Sequence, residues 1–278
     1  MSGLPVAAPT LLERAGRAGR AGSLLAVLAA GLIWVALLAP IIALLLHLSP
    51  SSIVSSLTAS GAFAPTVISL EASGTTVGVL ILAGTPLAWL LAHDRLPLPR
   101  LWEAGLLASL LLPPLVIGLL LIFMVGPLTP IGAALSVIHL SASNTFFALV
   151  VAEVYESAPY YVLGALTAFR SVDGRLEEQA AILGDRPGRA FLRVTLPLAA
   201  GGLAMALATA WARSIGAFGA VIIIAYHPFG LPLQIWTTLQ ETGLASALPF
   251  ALVLLVVALP LPLLVYGWSA RAQGRDRG

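Results

Sequence analysis

Six stretches of the 278-residue chain are apolar over about 20 residues each, the length an α-helix needs to cross a hydrocarbon core of about 30 Å. They lie near 24–46, 66–92, 104–126, 145–165, 198–226 and 246–268. Lipid offers no hydrogen-bond partner to free backbone groups, and the runs lack the period-two alternation of a β-barrel, so helices are predicted. Only 9% of residues are charged, against roughly a quarter in an ordinary soluble domain, which excludes a water-soluble fold. The expected architecture is an all-α integral membrane bundle of six transmembrane helices over 23–270, between tails at 1–22 and 271–278.

Arginine placement tests the crossing pattern independently of hydrophobicity, because cytoplasmic loops retain positive charge. Arg14, Arg17 and Arg20 precede the first stretch, and Arg95 and Arg100 separate the second from the third. Arg170, Arg175, Arg186, Arg189 and Arg193 separate the fourth from the fifth, and Arg271, Arg275 and Arg277 follow the sixth. The connections around 47–65, 127–144 and 227–245 carry none. Six crossings with both termini cytoplasmic satisfy the charge rule at every loop, and an odd number would break it. The charge-free run ending at Leu46 exceeds the roughly 7–15 apolar residues of a secretory signal, so a retained helix is expected there.

Composition removes other classes of function. Lysine is absent, so a G-x-x-x-x-G-K-[ST] nucleotide loop cannot occur and ATP-driven work would need a partner's catalytic site. Without cysteine there is no disulfide, thiolate nucleophile or Cys-based zinc site. His47, His93, His139 and His227 lack the paired spacing of metal ligands, so no metal or cofactor is expected on this chain. The net charge of +2 comes from arginines spread between apolar runs, which argues against nucleic acid. No nucleophile–base constellation suggests a membrane-embedded enzyme, and no catalytic residue is expected.

Small residues suggest how the helices pack. Gly74 and Gly78 are four apart in the second run, and Ala212, Gly216 and Ala220 repeat the spacing in the fifth; such ridges serve close packing or gating. Pro113 and Pro114 imply a kink in the third run.

The longest arginine-bearing connection, Ser171 to Pro197, is not a featureless linker. Leu176 to Leu183 is helix-compatible, Gly184 can take the left-handed conformation that closes a helix, Asp185 can cap the next, and Pro187 is tolerated in a first turn. A short helix, a corner and a second short helix over 186–193 are predicted. Arg186, Arg189 and Arg193 flank Phe191 and Leu192, a mix that suits either a protein-binding anchor or a helix lying on an anionic leaflet.

This segment resembles the EAA loop of ABC importer permeases, written E-A-A, three residues, G, nine residues, I-x-L-P. Glu178, Gln179 and Ala180 occupy the first three places, Gly184 the glycine, and Val194, Leu196 and Pro197 the end, with Gln179 and Val194 as mild departures. The resemblance implies a type I importer permease of a prokaryotic cell (inner) membrane, spanning roughly 24–270. In that family the loop docks on a cytoplasmic ATPase dimer, which holds ATP and magnesium. Glu178, Ala180 and Gly184 would set the corner and Arg186 to Arg193, with Arg189 and Phe191, would make the contact; Gln179, Asp185, Leu196 and Pro197 complete the implied coupling segment. A second permease subunit, identical or a sister chain, and an extracytoplasmic substrate-binding protein are further implied partners. Trp211 to Pro228 is similar to the fifth-span segment of molybdate, tungstate and sulfate permeases, which read A-R-x-x-x-E-F-G; this chain has Ala217 at the glutamate. Ala225-Tyr226-His227-Pro228 leans toward the molybdate and tungstate branch. Alternatives are a permease of the same superfamily for another small solute, or a secondary carrier driven by an ion gradient.

Glu71, Glu153, Glu156 and Arg213 fall within spans, where an ionised side chain costs at least about 2.5 kcal/mol in lipid, so all four are expected to face the bundle interior. Counting about 1.5 Å per residue places Glu153 and Arg213 at similar depth, roughly 12 and 16 Å. Arg213 is expected either to pair with Glu153 or Glu156 as a lock between helices, or to offer a fixed positive charge to a passing oxyanion.

Overall fold

The computed structural model describes residues 11–47 and 61–275. Arg277 and the connection 48–60 lie outside them. Helix α1, Leu11–His47, contains an apolar stretch Ala26–His47 long enough to cross a membrane. The helix begins at Leu11, so the described part of the expected 1–22 tail is helical and leads into that stretch; its Leu, Ala, Glu and Arg content favours helix.

Residues 61–275 form a helical bundle. Helix α2 (Phe63–Ala92) is interrupted by a five-residue π-helical turn at Leu80–Gly84. Then come α3 (Pro99–Leu111), α4 (Pro114–Val125), α5 (Pro130–Val137), α6 (Phe146–Arg170) and α7 (Gly174–Ile182). Helix α8 (Pro187–Ile215) contains a second π-helical turn at Phe191–Thr195. The short α9 (Val221–Ile224), α10 (Leu231–Thr242), α11 (Leu244–Ala258) and α12 (Pro260–Arg275) complete the chain. Both wide turns sit two residues before a proline, Pro86 and Pro197. A proline cannot return a hydrogen bond to the carbonyl four residues back, and the amides of Thr85 and Leu196 reach five residues back to Leu80 and Phe191.

The third apolar run is not a kinked rod. Its halves, α3 and α4, meet at 116°. Pro113 drives Leu112 into an extended conformation (φ −66°, ψ 133°), and Pro114 restarts the chain as a fresh first turn. The fifth span also differs from expectation: it runs Pro187–Ile215 rather than 198–226. The expected second short helix over 186–193 is therefore the first part of this span. Gly216 ends α8, and the apolar residues beyond it fold into a turn and α9 against α4. A Cβ on Gly219 would lie 2.4 Å from Pro114 Cβ, and one on Gly118 would lie 2.7 Å from Ile223 Cβ, so only glycine allows this approach.

Helix α6 is central, buried along most of its length and packed on α2, α3, α4 and α8. Thr145 caps it by accepting the Ala148 amide at 3.2 Å. Two apolar cores form around it. One gathers Ile117, Leu121, Leu149, Val221 and Ile224; the other gathers Leu80, Leu91, Tyr161, Val162, Phe169 and Ala206. The close contact between α6 and α8 is not at the expected small-residue ridges, although Ala220, in one of them, is closely approached by Gly118 of α4. Nothing lies within 4 Å of a Cβ on Gly74 or Gly78, and Gly216 is a helix terminus. Instead α6 and α8 meet through Gly164 and Gly202, where an added Cβ would lie 2.7 Å from Ala206 Cβ and 2.6 Å from Ala168 Cβ.

Gly202→Ala should lower the thermal unfolding midpoint in detergent by the equivalent of about 1–3 kcal/mol of overpacking, since neither Cβ can rotate away. Gly201→Ala, one residue along where an added Cβ meets nothing within 4 Å, should leave the midpoint unchanged. Light-scattering melts of both variants check this.

Candidate functional site

The corner after α7 is built by its backbone. Asp173 Oδ1 accepts the Arg175 amide at 3.0 Å to start the helix, and the helix ends at Ile182. Gly184 then takes φ +92°, and the Asp185 amide reaches back to Ala180 O at 3.0 Å, the closure that a left-handed glycine provides. Ala180 faces inward at 8% exposure, while Glu178 and Gln179 point outward. Ile182 and Leu183 are 84% and 88% exposed, two large apolar side chains presented at the tip. Sequence reasoning missed them; the available signal was a pair of bulky apolar residues just before a helix-ending glycine.

Asp185 is not the cap of the next helix. Arg186 holds that position in extended conformation (φ −71°, ψ 154°), and Asp185 is instead a counter-ion 3.4 Å from Arg193 and 3.9 Å from Arg189. Arg186, Arg189 and Arg193 are exposed. Phe191 turns inward, its ring 5.7 Å from Trp89 and 5.9 Å from Phe169, because the wide turn that begins there rotates it onto the apolar core. Leu196 is half-buried on α8 and Pro197 exposed. The corner is tied to two spans: Glu177 lies 3.1 Å from His93 at the end of α2 and accepts a hydrogen bond from Thr195 in α8.

Between the two apolar cores lies a polar layer. Glu153 Oε2 accepts hydrogen bonds from Ser73 (3.1 Å), Thr76 (3.2 Å) and Ser214 (2.9 Å), so a carboxylate on α6 gathers hydroxyls from α2 and α8. One turn along, Glu156 accepts the Ala220 amide at 2.9 Å and pairs with Arg213 at 2.8 Å. Of the two candidate partners for Arg213, the structure selects Glu156. Glu153 and Glu156 are buried, as expected of charges within spans, but Glu71 is exposed on α2. The expectation that it faces the interior is corrected: the α2 face bearing Glu71 and Gly74 is not covered by the other described helices of residues 61–275.

Arg213 keeps 31% of its side chain accessible while Glu156 is fully covered. Its guanidinium lies beside a cavity of about 340 Å³ lined by Pro113, Pro114, Leu115, Phe218 and Gly219. The broken third run thus forms one wall of the space in front of the arginine. A cation so placed can donate charge-assisted hydrogen bonds to a tetrahedral anion as well as to Glu156. Ala217, where the resembled permeases carry glutamate, is buried in the apolar core at 4% exposure.

Comparison with known proteins supplies the context. Residues 84–275 match the family described as binding-protein-dependent transport system inner membrane component. The chain is 37% identical over 242 residues to a probable molybdenum ABC transporter permease protein of Haloferax volcanii, covering 87% of this chain and 88% of that one. It is 33% identical over 246 residues to the molybdenum transport system permease protein ModB of Mycobacterium tuberculosis, covering 87% and 91%. The molybdate/tungstate transport system permease protein WtpB of Thermococcus kodakarensis is 28% identical over 191 residues, covering 69% and 72%. Among solved structures, a bacterial alginate ABC transporter in complex with an alginate pentasaccharide-bound periplasmic protein has the same fold, with TM-score 0.71 at 18% identity over 91% of this chain and 96% of that one. With apolar helices able to cross the membrane several times and this match over most of its length, the chain belongs to the family of binding-protein-dependent transport system inner membrane components.

Proposed function

We propose that the chain is the membrane-spanning subunit of an ATP-driven importer for a molybdate- or tungstate-type oxyanion, paired with a second permease subunit, a cytoplasmic ATPase dimer and an external binding protein. The observation that carries the reading is the corner at Gly184, which holds Ile182 and Leu183 out of the bundle beside Arg186, Arg189 and Arg193. An apolar tip ringed by arginines suits an interface with a soluble protein rather than lipid alone. The names of the relatives support the oxyanion, and Arg213 beside its cavity supports a weak contact for an anion in transit. ATP and magnesium belong to the partner, because this chain has no lysine with which to build a nucleotide loop. On this reading both termini and the corner are cytosolic, as the arginine distribution requires.

Ile182→Glu combined with Leu183→Glu should reduce co-purification of the ATPase at least about tenfold by placing charge in the apolar contact, with the permease itself still monodisperse. Affinity pull-down from co-expressing cells measures it, and molybdate uptake into proteoliposomes should be lost in parallel. Uptake by the permease without any ATPase would sink the proposal in favour of an ion-driven carrier.

Removing Arg213 alone would strand Glu156 and cost about 3–5 kcal/mol, confusing transport with folding. The double change Arg213→Gln, Glu156→Gln removes both charges while keeping hydrogen-bonding groups. The expected result is normal assembly with ATP-dependent molybdate uptake at least about tenfold lower, since the fixed positive charge is gone. Wild-type uptake by the double variant would reduce the pair to a structural lock.

A further inference from the structure

Two cavities share a wall where the end of α2 meets the start of α8. The larger, about 560 Å³, lies among Ile81, Leu82, Phe191, Leu196 and Leu203, and its lining is almost wholly apolar. Its size falls within the roughly 300–1,000 Å³ of ligand pockets. The smaller, about 290 Å³, is lined by His93, Arg95, Glu177 and Glu178. Trp89 and Pro187 belong to both walls. We propose that the pair binds one phospholipid whose headgroup carries a primary ammonium, as in a phosphatidylethanolamine, with an acyl chain in the larger cavity and the headgroup in the smaller. The choice of leaflet rests on the cytosolic placement of the corner proposed above.

Depth fits an acyl chain. From Trp89 to Ile81 the cavity follows α2 for about 12 Å, and half of a hydrocarbon core is about 15 Å. The apolar space therefore begins at headgroup level and ends inside one leaflet. Leu82 on its rim is 79% exposed, which leaves an opening for a chain to enter. Charge then sets the headgroup. Arg95 lies 4.4 Å over the Trp89 ring and has no ion pair among the described residues, so its guanidinium can donate to a phosphate. Glu177 is engaged by His93 at 3.1 Å and by Thr195. Glu178 is exposed, has no ion pair among the described residues, and offers an ammonium its counter-ion. A cation and a carboxylate across one cleft match a headgroup that carries both charges, whereas Glu178 would repel a purely anionic one. A primary ammonium donates hydrogen bonds to a carboxylate; a trimethylated one has no N–H to give.

Native mass spectrometry of the detergent-solubilised full chain, titrated separately with dioleoyl phosphatidylethanolamine, phosphatidylcholine and phosphatidylglycerol, tests this. The first phosphatidylethanolamine should bind about tenfold tighter than either other lipid, the size of one charge-assisted hydrogen bond. Glu178→Gln should erase the preference over phosphatidylcholine. Leu203→Trp, which fills the apolar cavity from its wall, should weaken all three lipids about tenfold. A light-scattering melt shows that this variant is folded, and where it is not, Glu178→Gln alone decides. Equal wild-type affinities for phosphatidylethanolamine and phosphatidylcholine, or an unchanged preference in Glu178→Gln, would overturn the proposal. So would a disulfide-linked dimer of Leu82→Cys in liposomes of phosphatidylethanolamine and phosphatidylglycerol: the natural chain has no cysteine, so the link would place a second copy over the cavity. Labelling of the corner from outside the cell would instead overturn the cytosolic reading and leave the binding result standing.

Discussion

The carboxylate of Glu153 is the interaction around which the bundle is arranged. An acidic side chain at mid-span is costly unless its oxygens are satisfied, and here three hydroxyls from two neighbouring helices converge on one of them. That convergence fixes the register of α2 and α8 against α6 at one height. Generic apolar packing could not do so, because lipid tails compete with leucine on equal terms and provide no unique depth. With register set, Gly164 and Gly202 fall opposite alanines and let α6 and α8 approach closely. The same register carries Arg213, adjacent to Ser214, to its place beside Glu156.

The break at Pro113 and the early end of α8 are two halves of one construction. Had the third run crossed as a straight rod, its carbonyls and side chains would fill the space in front of Arg213. Instead the chain turns through 116°, and the segment released by the end of α8 packs into the elbow through Gly219 and Gly118. The backbone amide of Ala220, in that segment, supplies the second donor to Glu156. Backbone irregularity at membrane depth is tolerable because protein or a cavity, rather than lipid, surrounds it.

Much of this was legible in the residues. The apolar runs marked a membrane bundle, the loop spacing predicted a left-handed Gly184, and the need to neutralise Arg213 pointed to the fourth span, where Glu156 answers it. What could not be read has physical causes. Residues 217–225 are apolar and covered by protein, with Val221–Ile224 packed on α4, yet a hydropathy reading cannot tell that burial from exposure to lipid. A pair of prolines announces a bend, but its angle depends on the glycines that receive it from elsewhere in the chain. Glu71 was expected inside because a charge avoids lipid; its exposure shows that the helix face bearing it is not covered within residues 61–275. Phe191, whose arginine neighbours suit an anchor or a leaflet-lying helix, is turned by the extra residue in its turn onto Trp89 and Phe169.

That extra residue also resets the angular phase of the helix. Ala190 and Ala199, buried at 4% and 1% exposure, are nine positions apart; at about 100° per residue they would lie on opposite sides of a regular helix. The widened coil removes about one residue's rotation, leaving them within roughly a quarter-turn of each other. A single helix can thereby keep alanines toward its neighbours both in the polar loop and in the apolar bundle, while Arg193 between them remains exposed. The stretch from Pro187 to Ile215 is thus one rod with two hydrophobic clocks, and the proline at 197 marks where the second one starts.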